Sequence, residues 1–112
     1  MAIIKIKPLS VNDVWKGRRF KTKDYQIYEW ELYTLLKPLV IPKSELSIFI
    51  TFYLSNRFSD IDNPVKPFLD ILQKKYKFND SQIYEMHIVK KIVKKGEEGI
   101  DFKIQSYEQG KV

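Results

Sequence analysis

The run Leu46–Ser55, Leu-Ser-Ile-Phe-Ile-Thr-Phe-Tyr-Leu-Ser, constrains the fold more than any other stretch of the chain. It is rich in β-branched and aromatic residues and free of charge, which suits an extended strand. Apolar side chains occupy both alternating positions, so the strand is expected to be central and covered, in part, on both faces. At 112 residues the chain has room for one hydrophobic core, and this strand would run through it.

The remaining elements are expected to pack around that strand. Ile3–Lys7 alternates apolar and basic residues, the pattern of a first strand ended by Pro8. Tyr25, Tyr28, Leu32, Leu35, Leu36 and Leu39 recur at helical spacing behind Asp24, a candidate N-cap, and Pro38 and Pro42 close that helix. Val65, Phe68, Leu69, Leu72 and Tyr76 mark a second helix from about residue 63 to 76, with Pro64 tolerated in its first turn. Ile83–Val93 and Gly99–Tyr107 resemble strands, joined through Lys94–Glu98 as a hairpin. The expected architecture is α/β of the α+β type: one domain over 1–112, a mixed sheet of about four strands, and two helices packed on it.

Composition narrows the chemistry. The absence of cysteine removes disulfides, thiolate nucleophiles and zinc–thiolate sites, and a single histidine, His87, cannot build a multi-histidine site. His87 is expected to be structural. Any metal would be held by carboxylate oxygens, the preference of hard ions such as magnesium, manganese or calcium. A net charge of +6, carried by 17 lysines and 3 arginines, suits a polyanionic partner, nucleic acid foremost. Lys16, Arg18, Arg19, Arg57, Lys74, Lys75 and Lys77 are the candidate phosphate contacts, with the Lys90-Lys91 and Lys94-Lys95 pairs behind them. In the irregular basic segment Leu9–Lys23, Trp15 and Phe20 could stack on a base, although packing of Trp15 into the core is the expected role. No apolar run approaches the ~20 residues of a membrane span, and the N-terminus lacks a secretory leader's long apolar centre. A cytoplasmic location is expected.

Four of the seven aspartates, Asp60, Asp62, Asp70 and Asp80, fall within 21 residues of this basic chain. Like charges gather at a cost unless a cation offsets them. Asp60 and Asp62 would point to one side of an extended chain and grasp one cation, with Asp62 also serving as the N-cap of the second helix. Lys66 and Asp70 would follow at one-turn intervals on a single helical face, and Asp80 would return from the far side. Three carboxylates around a divalent ion, with a lysine to stabilise developing charge or orient water, suit phosphodiester hydrolysis. The same residues could equally form a helix cap and a surface salt-bridge ladder.

These residues resemble the RusA family of Holliday-junction resolvases, small endodeoxyribonucleases of bacteria and their phages. The family's Asp-x-Asp-Asn, lysine, Asp-x-Leu signature is matched by Asp60-Ile61-Asp62-Asn63, Lys66 and Asp70-Ile71-Leu72. Its Asp-Asp-x-Gln turn is matched by Asn79-Asp80-Ser81-Gln82, and its Pro-x-Ser-x-Asn element by Pro8-Leu9-Ser10-Val11-Asn12. The resemblance implies a Mg²⁺- or Mn²⁺-dependent nuclease of branched DNA acting as a homodimer. Asp60, Asp62 and Asp80 would be its metal ligands and Lys66 its catalytic lysine. Asn79 departs from the usual aspartate, which bears on a second ion, and Ser59 stands where some relatives carry a basic residue. Two other classes fit the same composition: a noncatalytic branched-DNA-binding module, and a protein-interaction domain of a phage or replication complex.

Overall fold

The computed structural model describes residues 3–17 and 20–108. Among the described residues, five strands and two α-helices follow in order: β1 (Trp15–Lys16), β2 (Phe20–Lys21), α1 (Lys23–Leu35), β3 (Leu46–Leu54), α2 (Val65–Tyr76), β4 (Ile83–Ile92) and β5 (Gly99–Ser106), with short 3-10 turns at Val11–Asp13 and Asp80–Gln82. β3 is the central strand expected from its composition. Its even-numbered side chains, Leu46, Ile48, Ile50, Phe52 and Leu54, are buried in the core beneath the helices. Its odd-numbered side chains lie on the other face and pair with neighbours: Ser47 donates to Glu85 at 2.6 Å, Phe49 stacks on His87 at 4.7 Å, and Tyr53 donates to Asp101 at 2.6 Å. His87 thus packs on Phe49 and pairs with Glu85 at 3.1 Å on that face.

The main sheet has the order β4-β3-β5, with β4 parallel and β5 antiparallel to β3. β1 and β2 form a separate two-stranded antiparallel ribbon within the basic segment expected to be irregular. The mixed sheet with two helices thus holds, as three strands plus a ribbon. The hairpin expected between β4 and β5 does not form, because β3 lies between them. Each strand gains more by pairing with the apolar central strand than with the other, and Lys94–Glu98 becomes a turn that delivers the chain across β3. Gly96, at φ 98°, supplies the left-handed residue of that turn.

The expected first strand is reduced to one bridge, Ile4 to Ile100, with reciprocal backbone bonds of 2.8 and 3.0 Å. The approach is so close that a Cβ on Gly99 would lie 2.5 Å from the Ile3 side chain and 2.8 Å from the Ile4 carbonyl. In α1 the cap is Thr22 rather than Asp24: its hydroxyl accepts the Tyr25 N–H at 3.1 Å. Tyr25, Tyr28, Leu32 and Leu36 are buried, whereas Leu35 and Leu39 are exposed. The helix stops early because a residue preceding proline, here Lys37, avoids helical backbone angles. Trp15, expected in the core, is 50% exposed, since a two-residue strand of the outlying ribbon carries it.

α2 places the signature residues. Phe68 meets Phe52 of β3 edge-on at 5.9 Å and Phe102 of β5 at 5.6 Å, pinning the helix to the sheet. Pro64 is the N-cap, with no side-chain cap bond, so Asp62 lies outside the helix and does not cap it. Pro67, third in the helix, lacks only an N–H that the first turn leaves unpaired. Among the described residues no helix is long and apolar enough to cross a membrane.

Candidate active site

The β3–α2 connection carries Asp60 and Asp62. It is already turning at Ile61, so the extended geometry that would align the two carboxylates is not formed. Short-range bonds shape it: Phe58 and Ser59 donate to Asn56 at 2.9 and 3.1 Å, Asn63 to the Asp60 carbonyl at 3.3 Å, and Val65 to the Asp62 carbonyl at 3.1 Å. Lys90 of β4 reaches in from the sheet and donates to the Ser59 carbonyl at 2.7 Å and the Arg57 carbonyl at 3.1 Å. Asp60 and Asp62 are exposed, and no hydrogen bond or ion pair occupies either carboxylate among the described residues.

The N-terminal element is stitched to this loop. Ser10 caps the short 3-10 turn Val11–Asp13 by accepting the Asn12 N–H at 3.2 Å, and the Val11 N–H then bonds the Asn63 carbonyl at 2.8 Å. Two motifs about fifty residues apart in sequence are thereby joined. A polar cleft of about 490 Å³ opens between them, lined by Lys7, Ser10, Asp13, Asn56, Ser59 and Glu98 among others.

Lys66, Asp70 and Gln73 form one stripe along α2. Lys66 Nζ bonds Asp70 Oδ1 at 3.0 Å. Gln73 Oε1 accepts the Asp80 backbone N–H at 2.9 Å, which brings the turn Asp80–Gln82 against the helix. The hydrogen bond that Lys66 donates to Asp70, then the Asp70 charge, and more weakly the charge of Asp80 raise the Lys66 pKa above its ordinary value. Lys66 is therefore a fixed cation at neutral pH, suited to stabilising negative charge and unsuited to removing a proton. Asn79 caps the Asp80 turn: its Oδ1 accepts the Ser81 N–H at 2.9 Å while Gln82 Oε1 accepts the Asn79 N–H at 3.0 Å. An amide oxygen suffices for this cap, which gives the departure from aspartate a structural role.

The sequence-expected residues are only partly drawn together. Asp80, Lys66 and Asp70 share one neighbourhood, with Asp62 just before the same helix. The donors suit a hard divalent ion, being exposed carboxylate oxygens beside one lysine. Among the described residues, however, no three carboxylates converge into a group that could hold a metal ion. Mutual repulsion opposes such convergence until a cation offsets it. Of the expected phosphate contacts, Lys16, Arg57 and Lys77 are exposed. Lys74 bonds Glu29 at 2.8 Å and Lys75 bonds the Tyr33 carbonyl at 3.0 Å, so both also tie α2 to α1. Arg18 and Arg19 lie outside the described residues.

The sequence does not single out Gln73, and it marks Lys90 only as a candidate phosphate contact, not as a support of the signature loop. Gln73 carries a weak signal, lying three residues beyond Asp70 on the same helical face. The supporting contacts of Lys90 carry none, because its partners are backbone carbonyls more than thirty residues away.

The sequence profile of the family described as endodeoxyribonuclease RusA matches residues 10–105. The crossover junction endodeoxyribonuclease RusA of Aquifex aeolicus (strain VF5) is 42% identical to this chain over 81 residues, covering 70% of this chain and 63% of that protein. The chain thus spans less than two thirds of that curated relative's length.

Proposed function

The chain belongs to the RusA endodeoxyribonuclease family, and from that premise we propose that it is a divalent-metal-dependent endonuclease resolving four-way DNA junctions by paired nicks. The observation that carries this reading is the Lys66 ammonium, tethered to Asp70 and within electrostatic reach of Asp80, on the helix that directly follows Asp60 and Asp62. Asp60, Asp62 and Asp80 would hold Mg²⁺ or Mn²⁺, which would polarise the scissile phosphate and lower the pKa of bound water. Lys66 places positive charge where the phosphate oxygens gain negative charge in the transition state. Gln73 holds the Asp80 turn to α2, and the Val11–Asn63 bond holds the N-terminal element to the signature loop. The lysines supply phosphate contacts without base-reading geometry, so recognition follows branch shape and weakens with salt. A four-way junction has twofold symmetry, and a homodimer would present two sites in the matching relation. The setting is the cytoplasm of a bacterial cell.

The open spacing of the carboxylates favours one rival, a noncatalytic branched-DNA-binding module. A synthetic four-way junction, a duplex and a single strand, each incubated with protein and either Mg²⁺ or chelator, separate the two. Symmetric nicks in the junction that require the metal and vanish in Asp62→Asn are the expected result. Metal-independent binding without nicks would overturn it.

A further inference from the structure

Lys90 stands opposite Phe52 in the parallel pairing of β3 and β4. Opposed residues share a face, so its stem lies on the helix side of the sheet, beside a fully buried ring. Lys91, next in sequence, points to the other face and lies over the Tyr53 ring. Lys90 makes no ion pair with a carboxylate among the described residues. Its half-buried ammonium is satisfied instead by the Ser59 and Arg57 carbonyls, at 2.7 and 3.1 Å. Among the described residues, these two bonds are the ones that reach Arg57–Asp60 from another element of the fold. The other bonds in that stretch are local turn contacts, which set its shape but not its place on the sheet.

We propose that Lys90 is a positioning residue: by clamping the carbonyls of Arg57 and Ser59, it fixes the loop that presents Asp60 and Asp62. The sequence alone counted Lys90 among the phosphate-holding lysines. In the fold two of its three donors go to the protein's own backbone, immediately before the first signature aspartate. The proposal rests on the nuclease reading above for its catalytic consequence, but not for its structural one.

Three measurements on Lys90→Met, Lys90→Arg and the unaltered protein test it. The first is hydrogen exchange of residues 57–65, whose Ser59, Asn63 and Val65 amides bond within the loop and its exit. The second is Mn²⁺ binding without DNA. The third is junction cleavage, with kcat and KM determined separately across Mg²⁺ concentration. In Lys90→Met, exchange should rise in that segment alone and Mn²⁺ affinity and kcat should each fall about 10- to 100-fold, the usual effect of losing an outer-shell support. Junction KM should change less than about twofold, far less than removal of a phosphate contact would cause. Lys90→Arg should recover part of the loss.

Unchanged exchange in residues 57–65 of Lys90→Met would overturn the proposal. So would weakened junction binding with kcat intact, which is the signature of a phosphate contact. If Lys90→Met raises exchange throughout the chain, Lys90→Gln is assessed by the same criteria. If the unaltered protein cuts no DNA, the nuclease reading fails, while exchange and Mn²⁺ binding still decide the role of Lys90.

Discussion

Replacing Lys66 and Asp70 separately distinguishes a charge that acts on the substrate from the side chain that aims it. The pair is 3.0 Å apart, with side chains 64% and 29% exposed. At that exposure solvent screening limits the pair to under ~1 kcal/mol of stability, so Asp70→Asn should move Tm by only a few degrees. Lys66→Met removes the cation itself. Loss of one preorganised group facing transition-state charge costs about 10²- to 10³-fold in rate. Asp70→Asn keeps the cation and loses only its tether; ~1 kcal/mol of orientation corresponds to about fivefold. The two losses should therefore differ by roughly 20- to 200-fold. The assay is single-turnover cleavage of an end-labelled four-way junction at saturating protein and Mg²⁺.

The pH profile supplies an internal check. The hydrogen bond to Asp70 and its charge raise the Lys66 pKa above its ordinary value, so Lys66 holds its proton to higher pH than a free lysine would. If Lys66 acts on the substrate as proposed, its contribution to rate is complete well below the raised pKa and is lost as pH rises through it. In Asp70→Asn that loss should begin at lower pH. Equal losses in the two variants, or a loss beyond about 100-fold in Asp70→Asn, would refute the reasoning and place Asp70 itself at the chemistry.

Two further outcomes are expected. Trp15→Ala and Phe20→Ala, at positions 50% and 72% exposed, should leave Tm unchanged. Each should weaken junction binding by about 1–3 kcal/mol, measured by fluorescence anisotropy, if each ring stacks on a base; unchanged affinity would reduce the ribbon to a plain surface loop. Burial, aided by the charge of Glu29, pushes the Tyr25 hydroxyl up to about 12 from 10.0. Folding therefore favours the protonated phenol, and its contribution, complete below pH 10, is lost as pH rises towards 12. Urea titrations across that window should show stability declining with pH from this group, and the decline should be flattened in Tyr25→Phe.

Features set by near neighbours were legible in the sequence. The central strand followed from its β-branched and aromatic run, α2 from its apolar spacing, and the Lys66–Asp70 pair from an interval of four residues. Each depends on side chains within a turn or two of one another, where geometry follows from helix or strand period alone. The motif order also sufficed to place the chain in its family.

Tertiary structure decided whatever depends on which distant segments meet. Nothing local forbids a β4–β5 hairpin; it loses because β3 offers both strands a better apolar partner. The grip of Gln73 on the Asp80 backbone and of Lys90 on two loop carbonyls is equally invisible, because a backbone carbonyl or N–H occurs at nearly every residue and leaves no mark on composition. The exposure of Trp15 was settled the same way, by where the ribbon sits and not by what the residue prefers.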